Sequence, residues 1–190
     1  MTQAQPEYHP AQAGTAPNGE QVLQVLRANG VGNVVTVSDW VQLPLQRALD
    51  TQQDTAEAPA VRVQKCTTED EAFLVAAGLH IGGQRSAVVI QNQGLYAGLN
   101  ALRGIGLDSN IPLVMMIGQF GREPDNFGQP TTASSRRIVR ILEPLLELLD
   151  IPYWKVETTT DLAKISEAYA ESERRSWPTA VIFDRNMAWQ

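Results

Sequence analysis

Uninterrupted apolar runs alternate with amphipathic stretches along the chain, and that rhythm predicts the fold. SAVVI (86–90) and IPLVMMI (111–117) carry apolar, largely β-branched residues with no alternation, the pattern of strands covered on both faces. NVVTV (33–37), a short stretch at Tyr153–Val156 and TAVIF (179–183) predict three more strands, and the partial alternation of AVRVQ (60–64) predicts a less buried sixth. Helical spacing fills the gaps between them. Asn18 offers an N-cap to a stripe of Val22, Val25 and Leu26 that stops at Asn29-Gly30. Ser38-Asp39 is placed to cap a helix over 40–49. Thr68 and Glu71 have the spacing of a capping box before Ala72, Val75, Ala76 and Leu79. Further helices are predicted from the turn at 91–94 to about 104–106, from Ser134 or Ser135 to Leu149 with a kink at Pro144, and over 160–174. Strand and helix thus alternate about six times with helical crossovers, which predicts an α/β fold: a doubly wound, six-stranded parallel sheet with helices on both faces.

Residues 1–17 contain three prolines and little to bury, so they read as a flexible arm before a single domain over 18–190. A chain of 190 residues, 43% hydrophobic and 19% charged, suits one sizeable core. The net charge of -6 is spread out, and no basic run exceeds a pair of arginines, so nucleic acid and anionic membrane are not expected as partners. One cysteine and two histidines argue against a disulfide framework and a His/Cys metal site. With no leader pattern and no long apolar run, a cytoplasmic location is expected. The glycine-rich turns of phosphate binding are missing, as is a Gly-Asp-Gly with a downstream Asn.

In a parallel sheet the carboxyl ends of the strands border the crevice where ligands bind. Asp39, Glu69, Asn92 with Gln93, and Gln119 each lie just past a predicted strand end. Each has an ordinary explanation as well. An acid in a first turn complements the helix dipole, Asp39 suits a cap, and amides stabilise turns. Glu71 already fills the capping-box position, which leaves Glu69 without that duty.

Four stretches, TEDEAFLVAAGLHIGG, SAVVIQNQGLYAGLNAL, LDSNIPLVMMIGQFGRE and ILEPLLELLDIPYWKV, resemble the pyrimidine-binding domain of thiamine-diphosphate decarboxylases, in particular the separate α subunits of sulfopyruvate and phosphonopyruvate decarboxylases. The resemblance implies a pyrimidine-binding domain over 18–190, acting on a small 2-oxo acid. It implies that Glu69 hydrogen-bonds N1′ of the cofactor's aminopyrimidine, with a pKa raised by burial. Asn92 and Gly94 match the family's cofactor-side turn and Asn100 its helix, Gln93 would lie with them against the cofactor, and Asp39 matches an acid that handles substrate protons. Asp39, Trp40, Gln93, Gln119 and Arg122 would face the substrate. A β subunit would carry the diphosphate site and Mg²⁺, making a hetero-oligomer with its active site between subunits. Gln93 stands where the family has Ser, Trp40 where small residues are common, and GQFGRE where WRGE is typical, which leaves the 2-oxo acid open. Carboligation and a non-catalytic role in assembly or small-molecule binding are the alternatives.

Overall fold

The computed structural model describes residues 15–55 and 59–189. Most of the expected arm therefore lies outside the described residues. Its last part is tied down: the Thr15 and Pro17 carbonyls accept the N–H groups of Thr159 and Ala188, both at 3.0 Å.

The six expected strands form one all-parallel sheet. They are β1 (Asn33–Thr36), β2 (Arg62–Lys65), β3 (Ser86–Gln91), β4 (Val114–Gly118), β5 (Tyr153–Val156) and β6 (Thr179–Phe183), in the order β2-β1-β3-β4-β6-β5. The unalternating runs become the central, fully covered strands. Alternate residues of each such strand enter opposite cores: Val34, Val89, Met116 and Val181 on one face, Val35, Val88, Met115 and Ile182 on the other. β2, whose Arg62 and Lys65 are exposed, is an edge strand, as its partial alternation predicts.

Helices α1 (Gly19–Ala28), α2 (Leu43–Thr51) and α8 (Ala163–Arg175) supply the first core. Helices α3 (Glu69–Ile81), α4 (Asn92–Ala97), α5 (Leu99–Ala101), α6 (Arg137–Arg140) and α7 (Leu142–Leu148) cover the other face. Three expected helices are broken or displaced. α2 begins at Leu43, where Pro44 occupies a first-turn position that needs no N–H donor. The helix after β3 divides into α4, α5 and a π-helical turn at Leu102–Asp108. The helix bearing Pro144 separates at Ile141, because proline crowds the carbonyl four residues earlier and gives it no N–H. No helix among the described residues is long and apolar enough to cross a membrane.

After β1 the chain moves outward to β2 and then returns to β3 on the other side, so the β1/β3 boundary is a point where strand order reverses. In folds of this kind ligands bind beyond the strand ends at such a point.

Candidate active site at the strand ends

Asp39 lies at this end of the sheet. The segment leaving β1 does not run straight into a helix; it crosses the end of β3 and docks on β4. Asp39 does not cap α2. Its Oδ1 accepts the Val41 N–H at 2.8 Å and its Oδ2 accepts Gln42 Nε2 at 2.6 Å. Gln42 Nε2 also donates to the Met116 carbonyl at 3.0 Å, which pins the segment to β4. The carboxylate rests on Gly118, where an added Cβ would lie 2.6 Å from Oδ1 and nearer still to Oδ2. Only 4% of Asp39 is exposed. That burial pushes its pKa up to about 6, against the restraint of the Gln42 side chain and the Val41, Gly118 and Gln42 amides.

Glu69 has a second seat next door. Gln91 at the end of β3 pairs with Gly118, and three residues later Gly94 opens against the first turn of α3. A Cβ on Gly94 would meet Glu69 Oε1 at 2.7 Å, and one on Gly98 would meet Phe73 Cε2 at 2.6 Å. These glycines, one turn apart, let α4 lie directly over the start of α3. The three acids of that turn have different duties. Glu71 Oε2 accepts the Thr67 N–H at 2.7 Å, one residue before the expected capping-box donor. Asp70 takes a hydrogen bond from the Thr68 side chain, which lowers its pKa. Glu69, half-buried against Gly94, has no hydrogen bond or ion pair to its carboxylate among the described residues. An acceptor held in place and unused by the protein fits the ring nitrogen of a bound heterocycle.

The amides divide between structure and site. Asn92 is wholly buried; its Nδ2 donates to the Phe120 and Ile138 carbonyls at 3.1 and 3.3 Å, and its Oδ1 accepts the Gln93 N–H at 2.9 Å. Tyr96, one turn on, donates to the same Ile138 carbonyl at 2.7 Å, so this side of α4 clamps α6 and the loop after β4. Gln93 is exposed beside the Gly94 seat. Asn100 lies apart, exposed on α5, where its Oδ1 accepts Nε and an Nη of Arg103 at 3.3 and 3.2 Å. Gln119 is buried at the end of β4; its Nε2 donates to the Val139 carbonyl at 3.2 Å, and its Oε1 has no partner.

Beside the Asp39 seat a cleft of about 510 Å³ is lined by Trp40, Gln119, Phe120, Phe127, Arg136 and Arg185, among others. Arg122 is neither a solvated loop residue nor an open anion anchor. It is buried, with Nη1 2.8 Å from Asp184 Oδ1 and Nη2 donating to the Asn126 and Gln129 carbonyls at 3.1 and 2.9 Å. Lys155 Nζ completes the pair 3.0 Å from Asp184 Oδ2 and also meets Glu143 Oε1 at 3.2 Å. Desolvation is the largest influence on Lys155 and lowers its pKa, but Asp184 and Glu143 outweigh it and hold the ammonium above its usual value. Glu123, held down at about 2 by Ser134 and then Ser135, fixes the other end of the loop. This long loop is therefore anchored rather than free. Arg136 and Arg185 have no carboxylate partner among the described residues, and they give the cleft its uncompensated positive charge.

Asp184, Lys155, Gln42 and Gly118 were not singled out from the sequence. Asp184 follows β6 directly, so the strand-end rule that selects Asp39 would have found it. No group of three or more His, Cys, Asp or Glu among the described residues could hold a metal ion.

No family model matches the chain. Over 130 residues it is 30% identical to the sulfopyruvate decarboxylase subunit alpha of Methanothermobacter thermautotrophicus, spanning 66% of this chain and 74% of that protein. The corresponding subunit of Methanocaldococcus jannaschii is 29% identical over 120 residues, 62% of this chain and 68% of that protein. The phosphonopyruvate decarboxylase of Streptomyces viridochromogenes is 33% identical over 103 residues, which cover 54% of this chain but 25% of that longer protein.

Proposed function

This chain belongs to the family of sulfopyruvate decarboxylase α subunits, and from that membership we propose that it is the pyrimidine-binding half of a two-subunit thiamine-diphosphate-dependent 2-oxo acid decarboxylase. Its relatives are named as subunits, which favours a β partner; that partner would carry the diphosphate site and Mg²⁺. The observation that carries the reading is the Glu69 carboxylate seated on Gly94, without a partner among the described residues.

Thiamine diphosphate, when bound, supplies the electron sink for loss of CO₂. Glu69 would hold its aminopyrimidine ring by a hydrogen bond at N1′, with Gln93 and Gly94 beside it. Asn92 would act by fixing α4, its amide hydrogens being already donated to carbonyls. Asp39, with a pKa near 6, can give and take a proton close to neutral pH, the range in which a general acid–base works best. Its carboxylate form is received by the Val41 N–H and Gln42. Arg136 and Arg185 would draw the anionic substrate into the cleft, with Gln119 in its wall. Trp40 and Phe120 narrow the mouth.

The test is mild affinity purification from the native cells, with mass spectrometry of co-purifying chains and assay for thiamine diphosphate, followed by a 2-oxo acid panel. A similarly sized partner bearing Gly-Asp-Gly together with cofactor is expected. Isolation of the chain alone and without cofactor, under conditions that preserve complexes, removes the reading.

A further inference from the structure

We propose that Gln42 is the positioning residue for Asp39, a strut from the β4 backbone that holds the carboxylate in place and favours its ionised form. Gln42 is 1% exposed, and its Nε2 lies 2.6 Å from Asp39 Oδ2 and 3.0 Å from the Met116 carbonyl oxygen. The carbonyl only accepts, and the carboxylate accepts when ionised, so the nitrogen must occupy this corner; the turned amide would set oxygen against two oxygens. In that orientation Gln42 Oε1 is buried without a partner. Native folds rarely leave a buried acceptor unpaired. Here the amide gives up its acceptor in order to present both hydrogens, one to the scaffold and one to Asp39.

The groups facing Asp39 are few. From its own segment come the Val41 N–H and the amide and side chain of Gln42, and from β4 comes Gly118. None is charged. Burial is therefore opposed by neutral donors alone, and the Gln42 side chain is the strongest of them. Removing that donor makes the ionised form harder to hold. Protonation of Oδ2 in turn places a hydrogen against the Gln42 N–H, so loss of charge loosens the strut. The charge on Asp39 and the docking of its segment on β4 are thus one equilibrium. The catalytic meaning of this inference rests on the proton-handling role proposed above; its electrostatic content does not.

The test is an NMR pH titration of the full chain labelled with ¹³C at aspartate Cγ, with the Asp39 signal assigned by its loss in Asp39→Asn. In Gln42→Met, close in size but without a donor, the midpoint is expected to rise by about one pH unit. In Gln42→Glu, two carboxyls share the corner, and the signal should follow two coupled steps spread to either side of the original midpoint. A structural role alone would lower stability without moving the midpoint, so an unmoved midpoint in Gln42→Met overturns the proposal. Should Gln42→Met fail to fold, Gln42→Glu decides alone, and a single unsplit transition at the wild-type position overturns it. With the assembled enzyme, the acidic limb of kcat/KM should move with the NMR midpoint. A midpoint that moves while the limb stays still upholds the role of Gln42 and removes Asp39 from the chemistry.

Discussion

Two carboxylates rest on two glycines at neighbouring strand ends, and the protein treats them in opposite ways. Asp39 is enclosed on Gly118 with the Val41 N–H and Gln42 turned toward it, whereas Glu69 lies half-open on Gly94 with no donor to it among the described residues. The first site is finished within this chain. The second is built to shape and left chemically incomplete, as expected where the missing partner is a ligand. A seat made by deleting a side chain fixes position, and the surrounding donors decide whether the protein itself or something that binds to it sets the acid's charge.

The comparison can be broken most severely at Glu69. Glu69→Gln keeps the shape of the seat but removes the acid, so turnover by the assembled enzyme should fall by about 10²–10⁴ while folding and assembly persist. Steady-state kinetics beside size-exclusion chromatography would separate these, and unchanged turnover would sink the proposed role. Next in size is a pH effect confined to Asp39. Its folded pKa, near 6, lies above the reference value of 3.8, so the folded state holds the proton more tightly than the unfolded chain. Relative to Asp39→Asn, wild-type stability should therefore decline as pH rises from 4 to 7, by about 2 kcal/mol. Denaturant melts of both proteins across that range would show it; a constant difference would mean that Asp39 is not buried as described.

The glycines allow a finer contrast. Gly118→Ala should destabilise by about 1–3 kcal/mol, because the enclosed Asp39 has nowhere to move. Gly94→Ala should cost less stability, since the half-buried Glu69 can turn about χ1 to carry its Cγ off the new methyl, yet turnover should still drop; equal stability losses would erase the distinction between a closed and an open seat. The smallest effect belongs to Glu71→Ala, which loses only the Thr67 N–H bond: about 0.5–1 kcal/mol by thermal melt, with turnover unchanged.

How far the sequence could be read follows from the range of the forces involved. Strands such as SAVVI announce themselves because burial on both faces imposes apolarity residue by residue, and all six appear in the sheet. Asp39 and Glu69 were legible as strand-end acids for the same reason. Gln42 was not, since its meaning depends on a carbonyl 74 residues away. Arg122 reads as a substrate-facing residue until Asp184, which follows the last strand, closes on it. The expected cap at Asp39 failed for a local reason: Pro44 suits a first turn, and α2 begins there, leaving Asp39 free to reach β4.

The placement of β6 between β4 and β5 gives the molecule a timetable. Until the last strand emerges from the ribosome, β4 and β5 each present an unpaired edge, and the loop after β4 lacks both the Phe183 carbonyl that receives its Gln119 N–H and the Asp184 that anchors Arg122. The seat of Glu69 draws on α3 and α4 and needs none of this, whereas the Asp39 segment is also held from beyond β6, where the Met187 N–H donates to the Val41 carbonyl at 3.0 Å. During synthesis, then, Glu69 can be in position while the cleft is still unmade, and a nascent chain displays unpaired strand edges for as long as its final strand is delayed.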